Sequence, residues 1–169
     1  MKECYTVYMS RLFSAPTVFF CHISVALVLV GGALVSQYGF GFAPCVLCLW
    51  QRVPYALVVS LAVIGLIWPH RAWLYLLAAV YAATAALAFY HSGVEYGWWR
   101  FESSCTSTGA AAQTLAELEA ALNAAPLVRC DEPPFVVLGL SMAGWHAVTA
   151  FFLSILTALQ GWFYERRIG

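Results

Sequence analysis

Apolar residues in this chain come in long runs, and the charged residues that interrupt them are few. No Asp, Glu, Lys or Arg lies between Arg11 and Arg52, a stretch about twice the ~20 apolar residues that one membrane-crossing helix needs. Gly39, Gly41 and Pro44 in YGFGFAPC punctuate that run as a turn. Two spans are therefore predicted from it, at about 17–38 and about 45–68. Pro69, His70 and Arg71 close the second. A third fits about 72–94, and a fourth about 141–163 within the uncharged stretch from Pro133 to Tyr164. The expected fold class is an all-α membrane protein, a four-transmembrane-helix bundle forming a single domain over the 169 residues.

Between the third and fourth spans, about 95–134 is too long for a plain connector. Within it Ala110 to Asn123 places Leu115, Leu118 and Leu122 on one helical face, with Glu117 and Glu119 off that face. A short amphipathic helix is expected there. Trp98, Trp99 and Phe101 have the amphipathic aromatic character of residues at a membrane–water interface.

Composition narrows the class further. The chain is 63% hydrophobic and 9% charged, against the roughly 25% charged residues of a soluble domain. Too little polar surface remains to cover a globule in water, and the same richness in apolar side chains excludes disorder. With zero net charge and no basic block, the chain has no electrostatic footprint for nucleic acid.

Four spans place both termini on one side, and the basic residues indicate which. Lys2, Arg11, Arg71, Arg166 and Arg167 fall on the face of the termini, against Arg52, Arg100 and Arg129 opposite. The excess assigns the termini to the cytoplasm and the turn at Gly39 to Pro44, with the long loop, to the outside. A cleaved signal peptide is the alternative for the first span, whose apolar run exceeds the core of such a signal.

This topology sorts the six cysteines. Cys45, Cys48, Cys105 and Cys130 lie outside, where disulfides persist; Cys4 lies inside and stays a thiol. Cys21, in the first span, reads as a small buried hydrophobe. Cys45 and Cys48 form a C-x-x-C at a helix start just after Pro44. The helix dipole there favours the thiolate and hence exchange chemistry. A zinc site would need two further ligands at similar spacing, which the separation of Cys105 from Cys130 does not supply. A structural staple between neighbours on one helix would constrain almost nothing. Redox chemistry is the favoured reading of the three.

Arg52 follows Cys48 by one helical turn, at a depth in the second span where a charge is costly and tends to be functional. It could stabilise a Cys48 thiolate and donate hydrogen bonds to a ligand carbonyl; the alternative is a side chain snorkelling to the interface. His91, near the outer end of the third span, reads from spacing as a packing residue. Cys105 and Cys130 alone would read as a loop-closing disulfide, but beside a reactive C-x-x-C they could pass electrons to it by thiolate attack.

Together PCVLCLWQR after a first span, the loop pair Cys105/Cys130, CDEPPFVVLGLSMAGWH leading into a fourth span, and His91 ending the third resemble the DsbB family of disulfide bond formation proteins. The resemblance implies a bacterial inner-membrane protein with a periplasmic relay. Cys105 would be attacked by a DsbA-like thioredoxin-fold partner, with Cys130 as its original disulfide partner. Cys130 would then exchange with Cys45, freeing Cys48 as a thiolate against a membrane quinone, ubiquinone or menaquinone. Arg52 matches the family's quinone-site arginine, and His91 a histidine near that site. Gln51 departs from the pattern, in which an acidic residue often precedes the arginine. Two other readings stand beside this one. A vitamin K epoxide reductase-like oxidase usually carries its C-x-x-C at a late helix, and a non-enzymatic membrane protein would hold structural disulfides.

Overall fold

The computed structural model describes residues 15–101, 129–131 and 133–168. Cys4, Cys105 and the amphipathic helix expected at Ala110 to Asn123 lie outside the described residues. The described chain runs α1 (Ala15–Gly39), α2 (Val46–Trp50), α3 (Val53–Ile67), α4 (Arg71–Glu95), a hairpin of β1 (Val136–Val137) and β2 (Leu140–Ser141), and α5 (Met142–Ile168). Among the described residues, four segments are long and apolar enough to cross a membrane: Pro16–Gly39, Val46–Ile67, Arg71–Glu95 and Met142–Tyr164. The fold is the four-helix bundle anticipated from the charge-free runs.

Local chemistry sets the breaks. At the end of α1, Phe40 and Phe42 turn back to donate to the carbonyls of Val35 and Ser36 at 3.3 and 3.1 Å, and Gly41 supplies the positive φ of 74° that this reversal needs. The second span is interrupted between Trp50 and Val53. Pro54 has no N–H to return to the preceding turn, so the chain re-nucleates with proline in the first turn of α3. His70 then caps α4, its Nδ1 accepting from Ala72 N at 3.1 Å.

Tertiary packing runs from α1 to α3, α3 to α4 and, most extensively, α4 to α5. Phe19, Val58, Ala62, Leu74, Leu77 and Tyr81 form the buried centre of the first three. His22 closes the ring: its Nδ1 lies 3.4 Å from the Tyr81 hydroxyl on α4 and its Nε2 3.0 Å from Gln160 Oε1 on α5. The opposite faces expose Phe20, Leu27, Val28, Phe151, Phe152 and Leu156, a surface suited to lipid rather than to water. Cys21 is exposed on that outer face, so it is not the buried packing residue expected of it.

The hairpin was not legible as strand, because each strand is only two residues long. Its turn uses Leu138 and Gly139, both at positive φ (52° and 80°), the backbone of a type I′ turn. Tyr96 fastens it to α4, donating to the Gly139 carbonyl at 2.8 Å and accepting from Ser141 N at 3.2 Å. Ser141 in turn accepts from Gly144 N at 3.1 Å, capping α5, and donates to Glu95 at the end of α4.

Candidate redox site

Cys45 is the N-cap of α2: its sulfur accepts from Cys48 N at 3.3 Å and lies 3.1 Å from Cys48 Sγ. One helical turn thus brings the two thiols into contact. Cys130 packs beside them in one buried cluster with Leu47 and Val94, close enough for the Cys45 thiol and the backbone N–H groups of Leu47 and Val46 to act on its sulfur. Burial pushes the Cys130 thiol up to about 11, partly offset by those two donors. Cys45 therefore has a sulfur on either side, the neighbour arrangement that thiol–disulfide exchange requires. Next to Cys130 the chain meets solvent, where Arg129 forks onto Asp131 at 3.0 and 2.5 Å and holds that exposed carboxyl below its ordinary range.

His91 is 2% exposed. Its Nε2 lies 3.4 Å from Cys45 Sγ and 3.9 Å from Glu95 Oε1, and its Nδ1 lies 3.1 Å from Gln51 Nε2. Spacing alone described a packing histidine; the fold places it against the dithiol. Arg52 stands at the break between α2 and α3, and its NH1 donates to Gln37 Oε1 of α1 at 2.8 Å.

Cys48, Gln51, Arg52 and His91 all border one cavity of about 290 Å³, to which every long helix contributes. Leu29 and Val30 are among its apolar walls. Such a space is mostly apolar, and the Arg52 guanidinium supplies hydrogen-bond donors to it. The ligand atoms of Cys45, Cys48 and His91 lie within 4.8 Å of one another, close enough to share a soft cation. That proximity was invisible to spacing, since His91 comes from another helix.

Sequence reasoning did not single out Tyr55 and His146, which also border the cavity. Tyr55 O–H lies 2.6 Å from His146 Nε2, and His146 Nδ1 lies 3.1 Å from Gln51 Oε1. The available signal was a histidine inside an otherwise uncharged span, a residue type that is costly there and tends to carry a role. Glu95 and Gln37, which meet His91 and Arg52, gave no such signal.

The family model for disulfide bond formation protein DsbB matches residues 15–160. The chain belongs to the DsbB family. Among its relatives are disulfide bond formation protein B of Pseudomonas syringae pv. tomato, 30% identical over 146 residues that cover 80% of each chain, and disulfide bond formation protein B of Pasteurella multocida, 29% identical over 149 residues that cover 83% of this chain and 82% of the relative. An uncharacterised protein of Rickettsia prowazekii is 26% identical over 141 residues, covering 81% of this chain and 82% of its own. No solved structure matches the chain. Membership in the DsbB family, together with the four apolar helices, makes this a multi-pass membrane protein of disulfide bond formation, with an oxidoreductase role.

Proposed function

We propose that the protein re-oxidises a DsbA-like periplasmic dithiol oxidase and delivers the two electrons to a membrane quinone. The observation that carries this reading is the position of Cys45, in contact with Cys130 on one side and with Cys48 on the other, beside an apolar cavity that Arg52 borders. In balance, the partner's two thiols become a disulfide, and the quinone takes up two electrons and two protons.

Within the chain, a partner thiolate attacks Cys105, breaking its bond to Cys130 and leaving the electron pair on Cys130. The Cys130 thiolate attacks Cys45, the Cys45–Cys48 bond breaks, and Cys48 carries the charge into the cavity. Resolution of the partner's mixed disulfide and return of Cys130 to Cys105 leave Cys45 and Cys48 reduced, and the quinone, as two-electron acceptor, restores their bond. Arg52 and His91 would hold it, Arg52 by donating to a carbonyl oxygen. An acceptor at the high potential of a DsbA-type disulfide, about −120 mV, is what such a donor needs. The chain acts as one membrane domain in the bacterial inner membrane, with both termini cytoplasmic and the cysteine-bearing segments periplasmic.

The test is quinone reduction by the purified protein with a reduced thioredoxin-fold donor. Turnover that Cys105→Ser abolishes, with the Cys45–Cys48 bond still able to form, is the expected result. A wild-type protein that does not turn over removes the enzyme reading.

A further inference from the structure

A single run of hydrogen bonds joins Tyr55 to the dithiol. It passes from the Tyr55 hydroxyl to His146 Nε2 (2.6 Å), from His146 Nδ1 to Gln51 Oε1 (3.1 Å), from Gln51 Nε2 to His91 Nδ1 (3.1 Å), from His91 Nε2 to Cys45 Sγ (3.4 Å), and on to Cys48 Sγ (3.1 Å). Its residues come from α4 and α5 as well as from both pieces of the broken second span and the turn between them. His91 and Gln51 are buried and His146 is half-buried, and among the described residues no buried side-chain polar atom lacks a partner.

An amide has one end that only accepts and one that only donates, so it imposes a direction on its neighbours. Gln51 Nε2 donates, hence His91 Nδ1 is bare and the ring proton sits on Nε2, aimed at Cys45. Gln51 Oε1 accepts, hence His146 carries its proton on Nδ1 and its bare Nε2 takes the Tyr55 hydroxyl. Glu95 gives independent support: its Oε1 is 3.9 Å from His91 Nε2, an acceptor that favours a proton on that nitrogen and would repel a lone pair.

From this geometry we infer that Gln51 is a positioning residue, which fixes His91 as an Nε2–H donor to the Cys45 sulfur and His146 as an Nδ1–H tautomer. The inference rests on the proposed dithiol-to-quinone reaction and specifies how this chain prepares one of its sulfurs. When the reduced pair is oxidised, Cys45 gives up its proton and its sulfur bonds to Cys48; two electrons and two protons leave to the quinone. The His91 N–H stabilises negative charge on Cys45 as that proton departs. Gln51 touches neither sulfur in this role and acts through His91. Its effect therefore falls first on the rate of oxidation and only second on the affinity for the acceptor, whose cavity Gln51 and His91 also border.

The direct test is 15N NMR of the reduced, histidine-labelled full-length protein in lipid nanodiscs, with His91 and His146 assigned by single substitution. Expected are His91 protonated on Nε2 alone and His146 on Nδ1 alone; His91 protonated on Nδ1 overturns the inference. As a kinetic arm, Gln51→Met should lower kcat about tenfold, with the KM for a soluble short-chain ubiquinone changed by a smaller factor. An unchanged kcat, or a loss expressed only in KM, overturns the positioning role. Should Gln51→Met fail to fold, the wild-type spectrum still decides. Absence of quinone turnover in the wild type would instead count against the proposed reaction, which the tautomer measurement does not touch.

Discussion

Arg52 NH1 donates to Gln37 Oε1 at 2.8 Å, so a charge at the break of one membrane-crossing segment is tied to the last turns of another. An arginine that only snorkelled would spend its donors on water; here one donor is committed to α1 and the guanidinium borders the cavity beside Cys48. Replacing Arg52 with Ala or Met removes a charged hydrogen-bond donor, an interaction worth about 1.5–3 kcal/mol. The quinone KM should rise by about tenfold or more, with the KM for the dithiol partner changed far less. Gln37→Ala should give a smaller rise of the same kind. Steady-state kinetics with each substrate varied in turn checks both, and the opposite ranking of the two KM values refutes a quinone contact at Arg52.

Cys130 is almost fully buried, and its thiol is pushed up to about 11. Since the thiolate is the attacking form, its population rises about tenfold per pH unit below that value. In a Cys105→Ser variant, which removes the loop partner proposed for Cys130, single-turnover attack on the Cys45–Cys48 disulfide should accelerate with a slope near one in log rate between pH 7 and pH 9. The stability of that variant should move the other way. The folded thiol keeps its proton up to about 11, whereas an ordinary cysteine releases it at 9.0. The stabilisation is therefore complete below the ordinary value and is lost as pH rises toward the folded one, by up to about 1.4 kcal/mol per pH unit. Rapid quench with thiol alkylation and chemical unfolding in detergent measure the two effects; a pH-independent exchange rate would sink the first.

What the sequence made legible, and what it hid, divides along a physical line. The charge-free runs specify the helices because hydrocarbon tolerates only a backbone that satisfies its own hydrogen bonds. The C-x-x-C and Arg52 share one chain segment, so their proximity follows from helical spacing. His91 and His146 reach Gln51 from α4 and α5, and no periodicity within one segment reports a meeting between three. The hairpin escaped for a different reason: two-residue strands carry no alternation to read, and Leu138 at positive φ is an unusual turn residue.

Trp99 roofs the C-terminal end of α4. It stacks on Tyr90 with centroids 5.5 Å apart, and its Nε1 donates to the Tyr90 carbonyl at 2.7 Å. Gly93 permits this: a Cβ there would stand 2.2 Å from the indole. Gly93→Ala should displace Trp99, and with it the packing of Trp99 and Phe101 against the cluster that holds Cys45 and Cys130. A red-shifted tryptophan emission and a several-fold slower exchange between Cys130 and Cys45 are expected, with the helix content of the bundle unchanged. An unshifted emission would show that the roof accommodates the methyl group.

Gly65 of α3 packs against the Phe19 ring of α1. A Cβ there would lie 2.3–2.6 Å from the ring of Phe19, which is 1% exposed and packed at the centre of the core. Alanine in place of glycine favours a helix by about 1 kcal/mol, so an isolated α3 would gain from the change. In the bundle the added methyl must push the helices apart or turn the ring off its rotamer, at a cost of about 1–3 kcal/mol. The steric term should win, and Gly65→Ala should lower the thermal midpoint in detergent. Adding Phe19→Leu to Gly65→Ala should return part of the loss, because the smaller side chain vacates the space that the methyl needs. That coupling is the decisive measurement, since two independent sites would add. Strict additivity of the two substitutions would mean that the helices relax apart at Gly65 and that Phe19 does not set their distance.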